Sequence, residues 1–188
     1  MMLPVLLLLQ SNPCWCRSAL NSGVVAAQKF TTKTGNVRFE ASVPSFEEVA
    51  GESKTASAVV VPETGEIAVL TLMKGFRFKV ALMEEHFNEN YVESDKFPKA
   101  TFKGKIEGFD IAKISAEAKT FTVSGDLTLH GKTKHITGPA KVSKQGNTLT
   151  ITGAFDVKPA DFDIEVPAVV SKKIADKIKV TYNLQLTK

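Results

Sequence analysis

Cysteine is nearly missing from this chain of 188 residues, and both copies, Cys14 and Cys16, sit within the first 27. From Gln28 onward there is no thiol. That excludes a disulfide framework, a cysteine nucleophile and a cysteine-held zinc in the body of the chain. The single residue between Cys14 and Cys16 is also tighter than zinc spacing requires. Histidine is almost as scarce: His86, His130 and His135 are the three. His130 and His135 are five apart, which puts them on opposite faces of a continuous strand, and solvated loop histidines describe them better than metal ligands. No metal site is expected.

The motifs of catalysis are absent as well. There is no Gly-x-Ser-x-Gly elbow, and Ser124-Gly125 has no histidine of obvious role in the neighbouring sequence. Met73-Lys74-Gly75 and Gly104-Lys105 lack the second glycine and the Lys-Ser/Thr pair of a phosphate loop. Asp161 and Asp163 share a strand face, a common arrangement for exposed acids. No catalytic residue stands out, and the chain is not expected to be an enzyme. The net charge of +4 has no concentrated basic run, so no nucleic-acid partner is implied. The apolar run Leu3–Leu9, broken by Pro4, is too short to span a membrane, so no stable membrane span is expected.

That run opens a segment unlike the rest. No acidic residue precedes Glu40, and Val25-Ala26-Ala27 supplies small residues before Gln28. Residues 1–27 read as a secretory signal peptide, and residues 28–188 as the single mature domain. Export places the protein in the periplasm or outside the cell.

What the chain does have is phenylalanine, with 12 Phe against two Tyr and one Trp. Phe offers large apolar area with no polar group to satisfy, which suits a dry core or a greasy cavity. From Phe30 onward the pattern is strand, turn, strand. Val37, Phe39, Ala41 and Val43 alternate with polar residues, and Phe46–Gly51 is a connector. Lys54–Val61 and Glu66–Met73 form a hairpin about Pro62-Glu63-Thr64-Gly65. Phe121, Val123, Leu127 and Leu129 alternate with Thr122, Ser124, Asp126 and Thr128, one dry face and one wet face. Further strands run over Ala100–Phe109, Ile136–Lys144, Leu149–Val157 and Ile178–Leu186, with an irregular segment at Pro159–Val170. Only Phe78–Tyr91 changes period: Val80, Met83, Phe87 and Tyr91 make one helical stripe.

The fold class is mainly β. About eight antiparallel strands, each with one wet face, must pack as two sheets or close into an extended barrel, and closure with the single helix covering one end or side is favoured. The dry faces carry Phe39, Phe102, Ile106, Phe121, Val123, Leu127, Leu129, Ile151, Phe155 and Tyr182. They either fill an ordinary core or line a cavity. Alternation does not distinguish the two. Gly104, Gly125 and Gly153, set in otherwise apolar rows, are the only hint of spare volume.

Three stretches carry a resemblance. Glu84-Glu85-His86-Phe87-Asn88-Glu89-Asn90-Tyr91, Ser94-Asp95-Lys96-Phe97-Pro98-Lys99-Ala100-Thr101-Phe102 and Val123-Ser124-Gly125-Asp126-Leu127-Thr128-Leu129-His130-Gly131-Lys132-Thr133-Lys134 resemble, in order and spacing, the YceI-like family of polyisoprenoid-binding periplasmic proteins. The resemblance runs from about Phe30 to Lys188. It implies a lipocalin-like antiparallel barrel with an elongated apolar cavity, and bacterial export. It also implies an amphiphilic lipid or isoprenoid quinone as ligand, with no other cofactor. The ligand's tail would lie along the ten dry-face residues above, and His86 and His130, at motif positions, are the candidate contacts for a polar head group. Their plainer role is to fix the helix and the hairpin to the barrel. The competing reading is a stress-related or interaction module whose barrel is solid. Oligomeric state stays open between monomer and homodimer.

Overall fold

A computed structural model describes residues 28–42, 48–166 and 174–188. The expected signal peptide at 1–27 lies outside the described residues. So do Val43 to Glu47, at the end of the first expected strand and the start of its connector, and residues 167–170 of the irregular segment.

The strands are β1 (Phe30–Ser42), β2 (Ala50–Val61), β3 (Glu66–Leu72), β4 (Arg77–Phe78), β5 (Lys99–Ile106), β6 (Lys119–Leu129), β7 (Lys132–Gln145), β8 (Thr148–Val157) and β9 (Ile174–Thr187). A short helix, α1 (Ala81–His86), runs into a single π-helical turn at Phe87–Tyr91. The strand order β1-β9-β8-β7-β6-β5-β3-β2 is closed by pairing of β1 with β2. The protein is a closed eight-stranded antiparallel barrel with one helix. β4 is a two-residue addition at the start of β2, pairing Gly51 with Phe78 and Glu52 with Arg77.

Period-two alternation sets each strand's facing. β6 turns its odd positions inward, burying Val123 and Leu127, and β7 turns its even positions inward, burying Ala140 and Val142. The β6–β7 link is the two-residue turn His130-Gly131, with φ of 50° and 72°. Two positive φ values make the primed hairpin turn whose twist matches the strands. Bulges break the alternation in β1 and β2. β1 shifts register on both sides of Gly35, and β2 faces inward through Gly51 and Ser53 but then through Ala56, Ala58 and Val60. An extra residue in one strand moves the dry row from odd to even positions, so simple alternation does not carry through either strand.

The barrel interior is filled at one end and hollow at the other. At the filled end, Ala58, Val60, Ile67, Ile106, Val142, Leu149, Ile151 and Leu186 form one buried cluster, with Ile114 across its base. Gly104 and Gly125 face each other across β5 and β6, and a Cβ on either would meet the partner's backbone inside 3.0 Å. Gly153, opposite Tyr182, lies beneath the tyrosine ring. The spare volume expected at these three glycines is therefore already taken, by backbone at Gly125, by backbone and the Phe102 ring at Gly104, and by the Tyr182 ring at Gly153.

Candidate functional site

The hollow end holds a cavity of about 530 Å³ that is partly open to solvent. Among the described residues that line it there is no Lys, Arg, Asp or Glu. Its polar side chains are few: Thr71 and Tyr182 on the inward rows of β3 and β9, Thr101 on β5, and His86 and Tyr91 at the helix. Burial alone pushes the Tyr182 hydroxyl up to about pKa 12.

The cap is built locally. Val80, Met83, Phe87 and Tyr91 all line the cavity, so the apolar stripe read from the sequence is the face that closes the barrel. Phe39, Phe76, Phe78 and Phe87 pack below it with ring centroids 5.0 to 5.7 Å apart. A helix this short is not stable by itself in water. Glu84 pins it, pairing with Arg77 and accepting the Phe78 N–H at 3.3 Å. Asn88 donates to the Glu84 carbonyl at 2.8 Å, and the Val92 N–H reaches the Phe87 carbonyl at 3.0 Å to close the π-turn.

Seven of the ten expected wall residues line the cavity: Phe39, Phe102, Val123, Leu127, Leu129, Phe155 and Tyr182. Three do not. Ile106 and Ile151 are fully buried in the filled end, and Phe121 packs there at 6.4 Å from Phe109. Along β6 and β8 one dry row passes from the filled end to the hollow one, from Phe121 to Leu127 and from Ile151 to Phe155, and alternation says only that a residue points in. The cap residues and Phe76, Ile178 and Val180 are wall positions that the sequence reading left out. For the cap, the stripe places a helix over one end or side of the barrel, as expected, but does not say that its residues line a cavity.

The two candidate head-group histidines separate. His86 lines the cavity beside the cap. His130 does not, because both of its ring nitrogens are engaged: Nδ1 with the Phe162 carbonyl at 3.0 Å and Nε2 with the Glu93 carboxylate at 3.3 Å. Its side chain is 12% exposed and packs edge-on against Phe97 at 4.5 Å. Glu93, His130 and Asp163 are the three non-glycine residues with positive φ among the described residues; Glu93 and His130 meet in this knot, and Asp163 follows Phe162, whose carbonyl His130 reaches. The knot ties the turn after the cap, the β6–β7 tip and the turn after β8 together. Lys96, and then His130, hold the Glu93 carboxyl below the usual carboxylate range. His130 is thus a fastener at the rim, the plainer of its two expected roles.

On the outer face Asp126 and His135 are register partners, with Asp126 Oδ1 2.9 Å from His135 Nδ1 and His135 Nε2 3.3 Å from Ser124 Oγ. The chain of contacts has the order of a hydrolase relay, and it gives Ser124 a histidine neighbour that the sequence did not suggest. The Asp126 and His135 side chains are each 62% exposed, and the cavity lies on the other side of the sheet.

The family model of the YceI-like domain matches residues 28–186. The chain belongs to the YceI-like family. Solved structures share the YceI-like fold at low identity. A polyisoprenoid-binding domain from Saccharophagus degradans, implicated in plant cell wall breakdown, is similar with a TM-score of 0.74 and 15% identity, covering 85% of this chain and 97% of that one. BcnA of Burkholderia cenocepacia gives 0.67 and 20%, covering 82% and 96%. The YceI protein of Campylobacter jejuni gives 0.62 and 18%, covering 76% and 86%. No curated protein matches the chain. Among the described residues no helix is long and apolar enough to cross a membrane.

Proposed function

We propose that this YceI-like protein is an exported binding protein, not an enzyme, that holds an isoprenoid or similar long amphiphilic lipid in the hollow end of its barrel. The observation that carries the reading is the cavity itself. It is about 530 Å³, within the range of about 300–1,000 Å³ of small-molecule sites, and walled by aliphatic and phenyl groups. Water in such a space finds few hydrogen-bond partners, so an apolar tail is the occupant that gains most from burial there. The similarity to a polyisoprenoid-binding domain supports the choice of an isoprenoid over other apolar molecules. Export is supported by the composition of residues 1–27 and by membership of the family. A barrel filled throughout, the competing expectation, does not fit this interior.

Native mass spectrometry of protein taken gently from the periplasm tests this directly. The expected result is a population heavier by the mass of one lipid. Delipidated protein should also melt higher in the presence of an isoprenoid quinone, by about 2.7 kcal/mol of stability at a hundredfold excess over Kd. Repeated recovery of empty protein, with no thermal shift by quinones or fatty acids, would end the proposal.

A further inference from the structure

Tyr182 raises a question that its ring does not answer. The ring lies over Gly153, so that a Cβ at 153 would strike the hydroxyl. Covering a glycine in a strand is a role an aromatic ring often plays. Elsewhere in the same barrel that role falls to Phe102, whose ring covers Gly104 and carries no hydroxyl. A phenylalanine at 182 would cover Gly153 equally well and would avoid desolvating a polar group, which costs free energy unless a hydrogen bond is made. Yet among the described residues no group hydrogen-bonds to the Tyr182 hydroxyl. The side chain lines the cavity and also packs against the filled-end cluster, where hollow gives way to filled, with the Phe155 ring 6.1 Å away.

The geometry points to Tyr182 as the residue that reads the polar group of the bound amphiphile, donating a hydrogen bond at the cavity floor to an uncharged acceptor such as a carbonyl. This rests on the lipid-binding reading above and goes further, because it fixes both orientation and ligand class. The acceptor group enters first and the tail runs back toward the cap. The absence of Lys and Arg from the described lining argues against a carboxylate or diphosphate at this depth, since an unpaired buried anion is too costly. Burial keeps the phenol protonated up to about 12, so it is a donor at every physiological pH.

The test uses the full chain, delipidated, with three probes: a benzoquinone bearing an isoprenoid tail, the hydrocarbon squalene, and farnesyl diphosphate. Wild-type protein should bind the quinone most tightly. Tyr182→Phe should weaken the quinone by roughly three- to tenfold, the worth of one hydrogen bond, and leave squalene unchanged. The infrared band of the bound quinone carbonyl should lie lower with wild-type protein than with Tyr182→Phe, a signature that packing alone does not produce. Equal quinone affinity in the two proteins, an unshifted carbonyl band, or preference for the diphosphate overturns the assignment alone. Failure of all three probes on wild-type protein overturns the lipid-binding reading and the assignment with it.

Discussion

The two ends of this barrel are cut from the same eight strands, yet they are packed by different rules. The filled end interdigitates branched aliphatics: Val60, Ile106, Val142, Leu149, Ile151 and Leu186 are all fully buried. The hollow end is walled by aliphatic side chains and by a group of phenyl rings that pack on one another under the cap, and the space between them stays open. Eight strands give an interior that side chains just fill, or that holds one small ligand. This chain does both along one axis. The difference separates two duties: free energy of folding concentrates where packing is dense, and the capacity to take a guest lies where it is not.

The sharpest way to break that comparison is to remove matched bulk from each end. Ile151→Ala leaves a void among groups that cannot collapse, and should cost about 2–5 kcal/mol. Ile178→Ala removes a half-buried wall residue beside space that already exists, and should cost only about 1 kcal/mol. Urea unfolding of the two variants, with unchanged slopes, measures both. Similar losses at the two sites would mean that the hollow end contributes as much to stability as the filled one.

The hollow end is secured at its rim, by the knot around His130, where the filled end is secured by its core. His130→Ala removes two hydrogen bonds and leaves alanine at a positive φ, for an expected loss of about 1–3 kcal/mol. His130→Asn tolerates the left-handed backbone and should recover part of it. Because the knot ties the cap's following turn to the barrel, lipid release should quicken in both variants. The Glu93 carboxyl is held low in the folded protein, so its contribution is present above its ordinary pKa and fades as the solution is acidified through the folded value. Release rates that match wild type would show that the knot does not govern the cap.

Much of this was written in the sequence, and the limits are physical. Alternating dry rows leave two packed sheets or a closed barrel, and the favoured closure is the one that forms; the cap follows from one stripe at a spacing of three and four. Which way Val123 or Phe155 points is a matter of parity and was legible. Whether Ile151 lies in core and Phe155 in cavity is a matter of height along a tilted strand, which parity does not encode. Gly35 inside β1 is a local sign of a bulge, but the one between Ser53 and Ala56 arises from pairing between strands and has no such marker. The glycines misled because emptiness in a row of side chains can be taken by a neighbour's backbone or ring, as at Gly104, Gly125 and Gly153. Ser124 beside His135 depends on the register of β6 against β7, a relation between segments.

The gentlest perturbation is also the most discriminating between the two ends. Val180→Trp adds bulk on the cavity wall, where there is room for it. Filling a void typically leaves stability unchanged or raises it by about 0.5–2 kcal/mol. The same enlargement at Val142, which is fully buried, forces its neighbours off their rotamers and should cost about 1–3 kcal/mol or prevent folding. On the proposed function, Val180→Trp should fold as wild type and show no further rise in melting temperature with an isoprenoid quinone. A filled cavity with undiminished lipid stabilisation would place the lipid elsewhere on the molecule, and the hollow end would then need another explanation.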